Sequence, residues 1–553
     1  MKPERKLKLK ESLKVRFSKK GKNLFRMFLN KTLVLLLFAI FLTSCQKNSS
    51  SPIKQQILRT CLASDISSLD PRKGVDMATQ GVVRMLFAGL VYLDENLVPK
   101  LDLANSYRVS DDFKTYTFYL KECCWSDGSP ITAEDFEQTW KAALTPAYSS
   151  GNTNLFHFIK NGRKACLGSV SIDLFGVRAL DDKTLVIELE KPNPHFLNIL
   201  TNSIFSPVHK SLRYDRIDFK HLISSGPFQL KKYLLQNQIT LDKNPYYWDA
   251  ANVHLDQLDY FIIKDQGTAL LMFEKGEIEF LGDPFIKISS DAIPDLQAKG
   301  LIHSVQGAGT QWLFFNTKKF PYNNANIRKA LSMAIDRQKI LVDVMHYDHS
   351  SPPLGLIPKI LKKEKWHPWF NDNDVKGARE CFAKGLKELG ITAQEFPAIT
   401  IDYATNILWS KVLQAIQRMW IENLGIHVNN VGTDSAIFLQ KLATHEFDIA
   451  RMGWLMQYDD AVNLLEIFKY KNMKPNYTGW ENSDYIQHAD AMMLSSEKEK
   501  WDHIEAAEKI FFDEMPSIPL MDTLILYLEQ PYVKGINVNY LMQIDFRRAS
   551  IER

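Results

Sequence analysis

Residues 398–455 alternate strand and helix patterns in an order that few architectures accept. "AITIDYAT" reads as a strand, "LWSKVLQAIQRMWIENLG" as a helix closed by Gly425, and "IHVNNV" as a strand. "SAIFLQKLAT" follows as a short helix and "FDIARMGW" as a third strand. This β-α-β-α-β order is the repeating unit of an α/β lobe with a largely parallel sheet. Such sheets bind ligands beyond the carboxyl ends of their strands. "FDIARMGWLMQYDD", Phe447 to Asp460, lies at such an end. An arginine, a bare glycine and a tryptophan there, followed by polar groups, make it the first candidate binding edge.

Upstream, "QWLFFNT" predicts another strand. "NIRKALSMAIDRQKILVDVM" predicts one helix with Ile327, Leu331, Ala334 and Ile335 on one side. The first half of the chain is richer in strands. "KTYTFYL" alternates, with Tyr116, Phe118 and Leu120 on one face, and "TLVIELEK" and "QITLDKN" read likewise. "ITAEDFEQTWKAALTP" is a helix with Thr132 as N-cap and Asp135 three residues on. There Ile131 can staple onto Phe136, and Pro146 stops the helix. With 553 residues the chain is too long for one core and long enough for two or three domains.

The net charge of +4 is a poor guide. Residues 1–44 hold twelve Lys/Arg against two Asp/Glu, a balance of +10, so the rest of the chain carries −6. Nothing in a body of that sign suggests a surface for nucleic acid. The basic segment ends in "TLVLLLFAIFLTSC", whose apolar run is too short to span a bilayer and has the length of a signal-peptide core. Residues 1–44 are therefore expected to be a signal peptide. Met27 opens a leader of more usual length, so translation is expected to start there. "LTSC" resembles a bacterial lipoprotein box, which makes Cys45 the expected lipidated residue, and the polar residues 45–55 a tether.

Signatures of catalysis are missing. The chain has no GxSxG, HExxH or GxxxxGK[S/T], and "QGAGTQ" lacks the third glycine of a dinucleotide loop. Asp343, His346 and His349 have spacings that could hold a metal, but a solvated helix end explains them as well. Besides Cys45 there are five cysteines and no CxxC pair, so neither a disulfide framework nor a zinc site can be read. No cofactor and no metal is expected. Adjacent Cys123 and Cys124 read as strand residues on opposite faces.

Several stretches together resemble the solute-binding proteins of bacterial peptide importers, the extracellular solute-binding family 5. They are "SLDPRKGVDMATQGVVRMLFAGLVYLDE", "LANSYRVSDDFKTYTFYLKECCWSDGSPITAEDFEQTWKAAL", "SSGPFQLKKY…LDKNPYYWD" and "LFFNTKKFPYNNANIRKALSMAIDRQKI". "LGIHVNNV…FDIARMGWLMQYDD" and "AEKIFFDEMPSIPL" complete the set, which runs from about Leu58 to Phe546.

The resemblance implies a periplasmic-binding-protein fold of class II in its large three-domain form. Two hinged α/β lobes would close over a ligand. Lobe I would comprise residues 56–90, 205–306 and 520–553. A hairpin-rich insert would comprise 91–204, and lobe II 307–519. The implied function is that of a monomeric, lipid-anchored, extracytoplasmic subunit that hands oligopeptides to an ATP-driven (ABC) permease. Other ligands on the same fold are a cell-wall peptide, a nickel chelate or haem. An envelope enzyme and an adhesin are the readings from other classes.

By position in the family, Gly453-Trp454-Leu455 would supply one strand edge to an extended peptide and Val75-Asp76-Met77 the facing one. Gly453 would let another backbone approach and Trp454 would form a rigid wall. Arg451 would meet peptide carboxylates, or else serve in an ion pair within the lobe. Three residues past the tryptophan the family has an aspartate for the peptide ammonium, and here stands Gln457. Either Asp459, Asp460 or Asp76 supplies the missing charge, or the ligand has no ordinary free amine.

Overall fold

Alternating strand patterns in the first half become two four-stranded sheets. The computed structural model describes residues 55–73, 76–145, 153–212, 221–347, 350–362, 365–471, 475–492, 495 and 497–553. The expected leader, Cys45 and the tether up to residue 54 lie outside these residues, as do Val75, Pro146 and His349. The strands are β1 (Ile57–Leu62), β2 (Ala104–Val109), β3 (Thr115–Leu120), β4 (Val177–Ala179), β5 (Thr184–Glu188), β6 (Phe228–Leu234), β7 (Gln238–Lys243) and β8 (Gln257–Ile262). One sheet has the order β1-β8-β7-β6 and the other β2-β3-β5-β4. Tyr116, Phe118 and Leu120 on β3 all point inward, as the alternation predicts. Helix α1 (Met77–Leu86) follows β1.

Helix α2 (Ala133–Ala143) starts as read. The Asp135 carboxylate accepts from both the Thr132 amide at 3.1 Å and its hydroxyl at 3.3 Å. Ile131 and Phe136 are fully buried beside it. A single apolar core joins the two sheets, with Leu58 and Leu258 from one and Phe118 and Leu185 from the other.

The second half builds a six-stranded sheet from β9 (Phe280–Gly282), β10 (His303–Phe315), β11 (Ile399–Ala404), β12 (Val428–Thr433), β13 (Ile449–Leu455) and β14 (Ser517–Glu529). Its order is β9-β14-β10-β13-β11-β12. Helices α4 (Ile407–Leu424) and α5 (Ser435–Thr444) are the crossovers of the β11-β12-β13 unit, whose ladders are parallel. Gly425 ends α4 at a φ of 69°, a conformation that suits glycine. The other ladders, β13–β10, β10–β14 and β14–β9, are antiparallel, so the sheet is more mixed than the α/β pattern alone implies.

Strands β10 and β14 have 13 residues each and pass between cores. At one end Leu313, Ile518 and Leu520 pack with α4 in a second core. At the other, Leu526 and Leu528 join a smaller cluster with Leu281, and Tyr527 packs on the first core. Between the ends the ladder slips register twice, between Gln306 and Thr310 and between Gln311 and Trp312. Such bulges bend and twist the strands that carry them.

The predicted helix after residue 325 is broken. α3 (Ala325–Met333) ends at Ala334, and Asp336 then caps a new start through the Lys339 amide at 2.8 Å. A short helix at Arg337–Lys339 runs into a π-helical turn at Ile340–Val344. Arg337 explains the break. It is fully buried and donates to the carbonyls of Pro519 and Ser332, at 2.6 and 3.1 Å, and to Asp372 at 2.8 Å. Among the described residues no helix is long and apolar enough to cross a membrane.

Candidate functional site

Strand β13 carries the stretch from Arg451 to Leu455. β10 pairs with it along its whole length, from Ile449 opposite Phe315 to Leu455 opposite Gly309. On the other side the ladder with β11 covers only Ile449 and Ala450. Residues 451–455 therefore have one edge in a ladder and the other beyond the end of one, where an added strand could hydrogen-bond.

Side chains alternate along the strand. Arg451 and Gly453 share one face, and Trp454 lies on the other, packed beside the Trp312 core. The Arg451 guanidinium stacks at 3.4 Å over the Trp409 ring, from the first turn of α4, and donates to the Gln311 side chain. Its Nε has no partner, and among the described residues no carboxylate forms an ion pair with it. Burial pushes its pKa down to about 9. A Cβ at Gly453 would collide with the Gln311 amide.

Arg451 opens onto a cavity of about 550 Å³ that Gln311, Trp409, Asp76, Met77, Lys287 and Asp522 also line. Asp76 is the N-cap of α1. Its carboxylate accepts from the Thr79 amide at 2.8 Å and from the hydroxyls of Thr79 and Ser67, each at 2.7 Å. Met77 is the first residue of that helix, so the facing segment is a capped helix start here rather than the expected strand edge. A second cavity of about 610 Å³ shares Tyr347, Asp522, Thr523 and Leu524 with the first.

Gln457 lies elsewhere. With Trp454, Asn154, Glu466 and Lys469 it lines a separate cavity of about 250 Å³. Its side-chain oxygen accepts from the Asn154 amide at 3.2 Å, and its backbone N–H donates to Asn463 at 2.9 Å. Asp459 and Asp460 line none of the three cavities. The Asp459 carboxylate accepts from the Tyr540 hydroxyl, and burial raises its pKa. Asp460 is buried in an ion pair with Lys500 at 2.9 Å. The structure thus groups Asp76, Met77 and Arg451 at one cavity and Trp454 with Gln457 at another. Leu455 ends the strand, and the two acids turn into packing. No cluster of three or more metal-ligating side chains occurs among the described residues, and Asp343 pairs with Lys339.

Sequence reading missed Asp522, on β14 between the two larger cavities. Its one signal is an acid inside the apolar run "SIPLMDTLILYL". Thr310 and Gln306 each donate to it at 3.2 Å, and burial pushes its pKa up to about 7. An unfolded aspartate titrates near 3.9, so this group contributes stability below that value, which is lost as pH rises to about 7. Asp522→Asn has no proton to lose. The melting temperature of the variant relative to the parent is expected to climb between pH 5 and pH 7.5. A gap that stays constant over this range would show that the carboxyl is not raised.

The sequence profile of the bacterial extracellular solute-binding proteins, family 5 Middle, matches residues 98–476. The oligopeptide-binding protein OppA of Bacillus subtilis (strain 168) is 34% identical over 492 residues, 87% of this chain and 90% of that protein. The solved structure of the murein tripeptide-binding protein MppA of Escherichia coli superposes with a TM-score of 0.82 at 25% identity, covering 90% of this chain and 99% of that one. Listeria monocytogenes OppA bound to peptide gives a TM-score of 0.77 at 26% identity, over 90% of this chain and 100% of that one. With more than half its length matched by the family profile, and that on the mixed sheet and cleft just described, the chain belongs to the bacterial extracellular solute-binding proteins of family 5.

Proposed function

We propose that this protein is the substrate-binding subunit of an ABC importer, holding oligopeptides in its cleft mainly through their main chain and passing them to a membrane permease. The open edge of β13 at residues 451–455, beside a cavity walled from both cores, carries this reading. The similarity to proteins named for oligopeptide binding, one of them solved with a peptide, supports it.

Closure is a hinge motion of residues 307–519 against 56–90, 205–306 and 520–553, with 91–204 as the insert. The register slips at Gln306 and Gln311 support that division, because they fall where the long strands leave one core for the other. The protein performs no catalysis, acts as a monomer outside the cytoplasm, and is held to the membrane by lipid on Cys45.

Mass spectrometry of small molecules that co-purify with the protein tests the reading. A set of short peptides supports it, and their absence together with no calorimetric binding of any peptide overturns it. Within the reading, Arg451 meets a ligand carboxylate. A hydrogen bond to a charged group contributes ~1.5–3 kcal/mol. Arg451→Gln is therefore expected to weaken peptides with a free C-terminal carboxylate by roughly tenfold or more, and their C-terminal amides far less. Equal losses for acids and amides would place the carboxylate elsewhere.

A further inference from the structure

We propose that the turn after β13, residues 457–460, is a catch that holds the cleft closed, with the insert as its seat. The proposal rests on the two-lobe hinge of the reading above and goes beyond it, because it concerns contacts that no ligand makes.

Lobe I and the insert share one apolar core, and residues 307–519 pack into others. Tyr458 is the exception. Among the described residues it is the only member of the first core from that range. It is buried, and its ring meets Phe158 of the insert edge-on, with the centroids 6.0 Å apart. Side chains of the insert hold the turn on both sides of this ring. Asn198 donates to the Asp459 carbonyl at 2.9 Å and Asn202 to the Gln457 carbonyl at 3.5 Å. Asn154 donates to the Gln457 side chain at 3.2 Å. Tyr540, from lobe I, donates its hydroxyl to the Asp459 carboxylate.

These contacts join the two bodies that the hinge moves apart, so opening has to break them. They suit a reversible contact. The three amide hydrogen bonds are neutral, and water can replace them. The Tyr458 hydroxyl donates to Glu466 at 3.2 Å, within its own lobe, so the ring can leave the insert without stranding that hydroxyl. The turn begins two residues after Leu455, the end of the open edge, which ties the seating of Tyr458 to the position of that edge. Protein groups alone make the catch, so it favours the closed form with or without a guest. A guest that prefers the closed form is then held longer, because leaving requires the catch to open.

Tetra-alanine is the probe, followed by stopped-flow in tryptophan fluorescence, since Trp409 and Trp454 line the cavities on either face of β13. Tyr458→Ala is expected to release it roughly tenfold faster, with an on-rate no lower than the parent's. Tyr458→Phe keeps the ring and is expected to restore the parental off-rate. Asn198→Ala combined with Asn202→Ala acts from the insert side and is expected to raise the off-rate too, so the result does not depend on one variant folding. Small-angle X-ray scattering without ligand is expected to give Tyr458→Ala a larger radius of gyration than the parent. A residue that only filled a core would lower the melting temperature and leave both readouts unchanged.

Equal radii, or off-rates equal to the parent's, overturn the catch while peptide binding stands. An on-rate that falls instead places the damage at the binding edge and overturns it as well. A parent that binds neither tetra-alanine nor any other peptide overturns the peptide reading, and the radii then decide the catch alone.

Discussion

Gly453→Val is expected to lower peptide affinity by about a hundredfold while the unliganded protein stays folded. The glycine lies in ordinary extended strand, outside the left-handed region, and valine suits a strand. The change acts on the space in front of it. A Cβ at this position runs into the Gln311 side chain, which donates to Thr523 at 3.2 Å and accepts from Arg451. Gln311 lines the cavity that Arg451 faces, so a displaced side chain enters that space. Valine therefore moves bulk into the cleft and separates a guest backbone from the open edge of β13. Each main-chain hydrogen bond contributes ~0.5–1.5 kcal/mol, and two lost together with poorer packing give about two decades. Titration calorimetry reads the affinity and a thermal melt reads the fold. Parental affinity in the variant would mean that ligands do not use this edge.

How much of this was legible depends on how far apart the deciding residues lie. Local signals read well. The Thr132–Asp135 cap, the Gly425 stop and the alternation of Tyr116, Phe118 and Leu120 each involve residues within a few positions. The helix break at Asp336 was hidden because apolar spacing continues on both sides of it. What decides it is Arg337 reaching Pro519, 182 positions away. The antiparallel ladders of β10 and β14 were out of reach for the same reason.

In the site, the stretch from Arg451 to Gly453 stood out because its residue types conflict with a plain buried strand. Asp459 and Asp460 looked available because their partners, Tyr540 and Lys500, are distant in sequence. Asp522 went unseen for the opposite reason. A single acid in an apolar strand reads as an outward-facing residue until the fold brings it into the lining of two cavities.

Glu508→Ala is expected to cost about 3–5 kcal/mol, because it leaves the buried Lys362 ammonium without its anion. Glu508 lies on the helix Glu497–Glu514, fully buried. One carboxylate oxygen accepts from the Leu356 and Ile357 amides at 2.8 and 3.0 Å, and the other takes Lys362. This one side chain therefore pins both ends of residues 356–362. Lys359 and Ile360, between those ends, line the 610 Å³ cavity, so the stability cost and the ligand site are linked. The guanidinium midpoint should fall with little change in slope, and peptide affinity should fall with it. Glu508→Gln combined with Lys362→Met keeps acceptors for the two amides and removes the orphan charge, so it should recover most of both losses. A Glu508→Ala midpoint equal to the parent's would mean that the pair is solvated and the segment is held by other contacts. A double variant as weak as the single one would mean that the charge itself, rather than its abandonment, sets the cleft wall.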